Sequence, residues 1–474
     1  MSIIFATDFY KFGHHKQYPE GTELVYSTFT PRSFKHLPGV TGCVTFGVQH
    51  MLEQLDREFT EFFKLPLEEI LEAYRSCVEL CLGEKDPDLS HIEALWRRKE
   101  LPLEIRALPE GTVVGPKTPI LTVHNTDPEF YWLTNYLETY ISCSLWKPCT
   151  TASIARHFRG ILEHFADKTC DSNAHVDWQA HDFSMRGMSN PEDPLLAGMG
   201  HLLYFSGTDS VPAILNARAT YGCDWDIGGS VPATEHSVMC AGGMETELET
   251  FERLLDTYPT GILSIVSDTW DLWKVITEYL PKLKDKILAR DGKLVIRPDS
   301  GDPEKILCGD PESTNFTERM GVIKLLDLEF GSTLNSKGFK ELNPKIGVIY
   351  GDSISPERAE SILRNLKRQG YASNNIVFGV GSYTYQYITR DSLGFAMKAT
   401  LVKIKGEEIP IFKDPITDDG VKKSLRGAVK VKDGVVTDGH SLDEIDDSDL
   451  EVVYRDGKII RHEYFKQIRE RARS

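Results

Sequence analysis

A chain of 474 residues, 41% of them hydrophobic, is long enough for two or three cored domains and carries no compositional mark of disorder. Its formal charge of -17 excludes a general nucleic-acid or anionic-membrane surface, since either needs a Lys/Arg excess against phosphate, so any anion it takes must meet a local basic pocket. Nine cysteines without a C-x-x-C pair favour neither zinc nor a disulfide framework, and point to a reducing cytoplasm.

The amino terminus, residues 1–8, has too short an apolar run for a secretory signal, and no stretch approaches the ~18 apolar residues of a membrane span. Strand signals follow at Leu24 to Phe29, Val44 to Val48, Leu103 to Ala107 and Ile120 to Val123, with a helix near Leu67 to Leu82 that puts Ile70, Tyr74, Cys77 and Cys81 on one face. Asp127-Pro128 supplies an N-cap and a first-turn proline for a helix through Trp132, Tyr136 and Tyr140, and a second helix runs from about Thr151 to Ala166.

From about His181 to Thr389 the pattern becomes strand, polar loop, helix, repeated, which predicts parallel strands. Ile262 to Val266 stops at Ser267-Asp268, Leu294 to Arg297 at Pro298-Asp299-Ser-Gly301, Ile346 to Tyr350 at Gly351-Asp352, and Ile376 to Phe378 at Gly379-Val-Gly381-Ser382. Four strands thus end in polar loops of one character, and the carboxyl ends of parallel strands are where functional loops gather. Ser355-Pro356 caps a helix bearing Ala359, Ile362, Leu363 and Leu366, which Gly370 closes. Beyond Phe395 antiparallel hairpins turn at Lys405-Gly406, Asp433-Gly434 and Asp456-Gly457, the acidic run from Asp443 to Glu451 reads as a solvated loop, and a basic helix covers Phe465 to Arg473. The expected architecture is an irregular parallel α/β barrel over 151–395, with an α+β, antiparallel domain formed by 1–150 together with 396–474.

Several side chains in this frame can carry chemistry. Ser230-Val-Pro-Ala-Thr-Glu-His236-Ser sets the Glu235 carboxylate beside an imidazole on a short turn, able to take a phosphoryl group or a proton; a hydrogen-bonded structural histidine is the other reading. Asp299 and Asp352 at strand ends suit ribose hydroxyls or a magnesium ion, or else cap the helices that follow, an ambiguity that Asp268 and Asp271 share. Gly379-Val-Gly381-Ser382 can turn backbone N–H groups toward a phosphate, or is an ordinary tight turn. Phe183 and Arg186 can stack on and hydrogen-bond a planar heterocycle, or be a core residue and a surface ion-pair member.

Taken together, Thr7-Asp-Phe-Tyr10-Lys, His15-Lys-Gln-Tyr18-Pro, the run from Asn125 to Asn135, His181-Asp-Phe-x-x-Arg-Gly187, Gly207-Thr-Asp209, the Ser230 to Ser237 turn, Ile296-Arg-Pro-Asp-Ser-Gly301 and Phe412-Lys-Asp-Pro415 closely resemble the nicotinamide phosphoribosyltransferases, of the type II phosphoribosyltransferase family, in the same order and over nearly the whole chain. The resemblance implies transfer of a phosphoribosyl group from phosphoribosyl pyrophosphate to nicotinamide, with magnesium, promoted by ATP hydrolysis through a phosphohistidine, in a homodimer with two shared sites. By matching position it implies that Phe183 and the partner's Tyr10 sandwich the pyridine ring, that Asp209 accepts from the carboxamide nitrogen, and that Arg297 orients the ring. Asp299, Gly351 and Asp352 match ribose contacts, Gly381 and Ser382 the 5'-phosphate cradle, and Arg390 and Lys398 phosphate ligands from the partner subunit. Lys422, Arg32 and Arg186 match pyrophosphate-side cations, His236 the phosphorylated histidine, and Glu235 and Asp271 the phosphoryl and magnesium end. Met185 and Ala396 depart from residues common in the family, and Gly381-Ser382 replaces a richer glycine run. A nicotinate phosphoribosyltransferase is the nearest alternative, and a non-catalytic binding or signalling protein on the same scaffold is the other.

Overall fold

A computed structural model describes residues 2–417 and 423–474, and its central strands run parallel in the order Gly207–Thr208, Ala180–Asp182, Val377–Val380, Ile346–Tyr350, Asp291–Arg297, Thr260–Val266. The short apolar runs build it as expected: Leu263, Ile265, Leu294, Ile296, Val348, Phe378 and Val380 are buried. The two edge strands do not pair with each other. Instead the extended segment that leads to His236 lies between them, with parallel bridges from Gly229 to Gly207 and from Ala233 to Ser264, and closes the curl. The result is an irregular barrel, its last seam made by isolated bridges rather than a full ladder. Every strand ends on the same rim, so residues 183, 209, 267, 297, 351 and 381 follow from topology to one end.

The barrel belongs to a unit of Ile154–Asn216 and Asp224–Tyr387; the other unit comprises Met1–Ser153, Ala217–Cys223 and Ile388–Ser474. The latter holds a seven-stranded antiparallel sheet in the order Glu407–Pro410, Ala396–Ile404, Thr22–Thr30, Leu121–Asn125, Leu103–Ala107, Glu451–Arg455, Lys458–Ile459, so both chain ends interleave in one sheet. The excursion 217–223 joins this unit through Thr220, whose carbonyl accepts from Gln49 Nε2 at 2.6 Å, and Tyr221, whose hydroxyl donates to Glu110 Oε2 at 3.0 Å.

Local expectations failed where a strand-like sequence met a stronger periodicity. Only Cys43–Val44 pair as a strand; Gly47 turns with φ 93° and Val48–Lys64 forms a helix that the β-branched run masked, although Met51, Leu55, Phe59 and Phe62 mark its buried stripe. The two helices expected around 127–166 are a turn at Pro128–Phe130, capped by Asp127, a short helix Leu133–Tyr136, and one long helix Glu138–Thr169 that accommodates Pro148. The acidic run is less free than a solvated loop: Asp446, Asp447 and Asp449 pair with Arg106, Lys430 and Lys432 at 2.7, 2.8 and 3.1 Å, and Ile445 and Leu450 are buried. The helices at Pro356–Arg368 and Phe465–Arg473 form as read, the first capped by the Ser355 hydroxyl.

Candidate active site

A cavity of about 340 Å³ opens at the barrel rim, where Phe183, Asp209, Arg297 and His181 line it, and continues down the barrel interior past Ser264, Lys293 and Val295 to Trp178 and Asn375. Gly residues let side chains at its mouth pack closely. Gly379, for example, lets Phe183 lie against its strand: a Cβ there would come within 2.6 Å of the ring. The Arg297 guanidinium stands 6.0 Å from the Phe183 ring centroid, and its buried Nε has no hydrogen-bond partner among the described residues. A flat ring on Phe183 therefore meets an unspent donor on one side.

Asp209 faces the same space. Its Oδ1 accepts from His181 Nε2 at 2.8 Å and from Ser230 Oγ at 2.5 Å, and Oδ2 has no such partner among the described residues. Burial alone would raise this carboxyl, but the bonds from His181 and Ser230, with the Arg297 charge, outweigh it and hold the pKa below the ordinary aspartate value. The site thus presents a fixed negative acceptor. Neither His181 nor Ser230 was assigned a role from sequence, though both stand inside the quoted motifs.

Beside this slot lies a cluster of acids around His236. The half-exposed imidazole has Nδ1 3.1 Å from Thr269 Oγ1 and Nε2 3.8 Å from Asp299 Oδ2, and Glu235 bonds the Ser237 hydroxyl. Asp268 Oδ2 accepts from Asp299 N at 2.8 Å and Ser300 Oγ at 2.6 Å, whereas its buried Oδ1 is unpartnered. Burial pushes Asp299 up; Arg297 and His236 oppose that shift, and Asp268 and Asp352 add to it. Such a gathering of carboxylates is short of positive charge.

The capping alternative separates cleanly. Asp302 caps the helix after Asp299, and Ser355 the one after Asp352, so neither Asp299 nor Asp352 is spent on a helix. Asp271 is: its Oδ1 accepts from Trp273 N and Lys274 N at 3.0 Å each. Gly351 makes room for Asp299, since a Cβ there would fall 2.1 Å from Asp299 Oδ1. Gly381 precedes the short helix Ser382–Tyr385, and Ser382 sits over Gly187. Arg186 lines a second cavity of about 430 Å³ with Asp182, Phe183, Met185, Met188 and Asp209.

In the other unit, Tyr10 is 59% exposed on the turn Phe9–Gly13, its ring tilted 59° to that of His14 with centroids 5.3 Å apart. Lys398 is pulled down first by burial and then by the nearby charges of Arg32, Lys413 and Lys11, against Glu138, with which Lys11 is itself paired. Arg32 Nε bonds Gly394 O at 2.7 Å, and Arg390 contacts Asp391 at 3.3 Å. Lys413 was not assigned from sequence, although Phe412-Lys-Asp-Pro415 contains it. Lys422 lies outside the described residues. Among the described residues no group of three or more His, Cys, Asp or Glu is arranged to hold a metal by itself, and no helix is long and apolar enough to cross a membrane.

Residues 178–458 match the nicotinate phosphoribosyltransferase family, and residues 2–61 match the nicotinamide phosphoribosyltransferase N-terminal domain. A nicotinamide phosphoribosyltransferase of Acinetobacter baylyi is 47% identical, with 98% of this chain and 96% of that one covered. A second, of Mycoplasma pneumoniae, is 38% identical over 90% of this chain and 94% of its own. Human nicotinic acid phosphoribosyltransferase shares the fold, with TM-score 0.58 at 15% identity, covering 98% of this chain and 93% of that structure.

Proposed function

The chain belongs to the nicotinate phosphoribosyltransferase family, and from that premise we infer that it is a nicotinamide phosphoribosyltransferase, a pentosyltransferase of NAD biosynthesis that makes nicotinamide mononucleotide and pyrophosphate. Asp209 is the observation that carries the choice of base. A carboxylate whose Oδ1 is fixed by two donors offers Oδ2 to an amide N–H, and would repel the carboxylate of nicotinate. A mismatched buried charge costs roughly 2–5 kcal/mol, enough to decide between the two pyridines.

In the reaction the ring nitrogen attacks the anomeric carbon of the ribose as the bond to pyrophosphate breaks. Phe183 and the partner subunit's Tyr10 hold the ring flat, Arg297 and Asp209 fix its rotation, and Asp299 with Asp352 and Gly351 hold the ribose, so that nitrogen and carbon meet in line. Gly381 and Ser382 take the 5'-phosphate with Arg390 and Lys398 of the partner subunit; Arg186, the partner subunit's Arg32 and Lys422 are the pyrophosphate-side cations. The orphaned Asp268 Oδ1 and the raised Asp299 suit a divalent cation that arrives on pyrophosphate, because magnesium needs only one or two protein carboxylates when phosphates supply the rest. Asp271, with Oδ2 to spare, is the other candidate ligand, and magnesium there would neutralise the leaving diphosphate. ATP is a co-substrate: His236 takes its γ-phosphoryl group, the bond to ADP breaks, and Glu235 stands next to the acceptor.

The enzyme works as a cytoplasmic homodimer. Purified protein given phosphoribosyl pyrophosphate, magnesium and ATP should consume nicotinamide and leave nicotinate; preferential use of nicotinate would overturn the assignment. The shared site has its own test. Tyr10→Ala and Phe183→Ala homodimers should each be impaired, whereas mixing them should restore up to about a quarter of wild-type activity, because half the random dimers carry one intact site. Mixtures no better than their components would refute sharing.

A further inference from the structure

Asp182 ends the strand Ala180–Asp182, immediately before the ring-stacking Phe183, and the reaction above gives it no task. It is 1% exposed and lines the second rim cavity, yet it forms no ion pair among the described residues. Its hydrogen bonds tie it to the base slot. Oδ1 accepts from Ser184 N at 2.9 Å, closing a turn around Phe183, while Phe183 N donates to Val380 O at 2.9 Å. The Asp182 carbonyl accepts from Asp209 N at 3.0 Å. One residue therefore ties the stacking ring and the amide acceptor to the same strand end.

Its Oδ2 is buried without a partner, as is the hydroxyl of Ser210, which is also 1% exposed. Both flank Gly198: a Cβ there would stand 3.5 Å from Asp182 Oδ2 and 3.3 Å from Ser210 Oγ. A buried side-chain oxygen without a partner is costly, so the residue is kept here for what its other oxygen does. We propose that Asp182 is a positioning residue for the base, which acts through its side-chain bond to Ser184 N by clamping the turn that aims Phe183 across the slot beside Asp209. The proposal rests on the nicotinamide reading of that slot. It assigns the role to the hydrogen bond rather than to the charge, because an aspartate or asparagine can close such a turn alike.

Steady-state kinetics on three enzymes test it, with wild-type formation of nicotinamide mononucleotide as the control for the underlying reading. Asp182→Ala should raise the KM for nicotinamide about tenfold, with the KM for phosphoribosyl pyrophosphate changed less than twofold. Asp182→Asn, whose side-chain oxygen can still accept from Ser184 N, should stay within about threefold of wild type. An Ala variant with an unaltered nicotinamide KM, or with both KM values raised alike, would overturn the proposal, and so would an Asn variant as poor as Ala. If Asp182→Ala does not fold, the Asn variant together with Ser184→Pro, which removes the donor N–H, decides the matter: tenfold weaker nicotinamide binding by calorimetry is expected for Pro alone, and equal binding by the two overturns it.

Discussion

Asp209→Asn is expected to lower kcat/KM for nicotinamide about 30-fold and to shift the amide-to-acid preference by roughly 100-fold, from the loss of a charge-assisted hydrogen bond and its replacement by a mismatched donor. The sign follows from the bonds around the residue. His181 Nε2 and Ser230 Oγ both donate to Oδ1, so an asparagine must keep its carbonyl there and turn its amide nitrogen toward the base. A carboxamide N–H then meets another N–H. A nicotinate carboxylate meets a donor in place of a repelling charge, so the acid should gain while the amide loses. Competition kinetics with both pyridines measures the ratio directly, and an unchanged ratio would remove Asp209 from base selection. Because its pKa is held down, the wild-type acceptor should stay ionised below the usual aspartate range; the acidic limb of kcat/KM for nicotinamide should not arise from Asp209.

His236→Ala should abolish the acid-labile label that γ-labelled ATP leaves on the wild-type protein, and should reduce ATP-stimulated kcat/KM about 10²–10³-fold, as expected when a group organising charge at the leaving diphosphate is lost. The geometry motivates the expectation. The imidazole is 48% exposed on its side-chain surface, so a nucleotide can reach it, yet one nitrogen is steadied by Thr269 and the other looks toward Asp299. Activity measured without ATP should fall far less. Label persisting in the variant would refute the phosphohistidine, and an unaltered ATP response would refute its coupling to turnover.

The barrel and its polar rim were readable because buried parallel strands leave continuous apolar runs that stop abruptly at polar loops. Ile346–Tyr350 and Thr260–Val266 are examples. What stayed hidden was pairing at a distance. Nothing local in Gly229 or Ala233 says that this stretch closes the barrel, since its bridges to Gly207 and Ser264 are backbone contacts with no side-chain pattern. The hydrogen bonds that His181 and Ser230 send to Asp209 likewise join residues 28 and 21 positions apart. For Asp268, Asp271, Asp299 and Asp352, sequence favoured ligation but left capping open. Only the position of each oxygen separates Asp271, which caps, from Asp299 and Asp352, whose helices Asp302 and Ser355 cap instead. The helix Val48–Lys64 was legible in principle, since its buried stripe is periodic, but the Val-Thr-Phe run before Gly47 drew the reading toward a strand.

The interleaved sheet sets an order of events at the ribosome. Thr22–Thr30 pairs with Ala396–Ile404, and Leu103–Ala107 with Glu451–Arg455, so the early strands wait for the last portion of the polypeptide to emerge. Translation at about 5–20 residues per second makes that delay tens of seconds, during which Thr22–Thr30 and Leu103–Ala107 have Leu121–Asn125 beside them but present their outer edges unpaired.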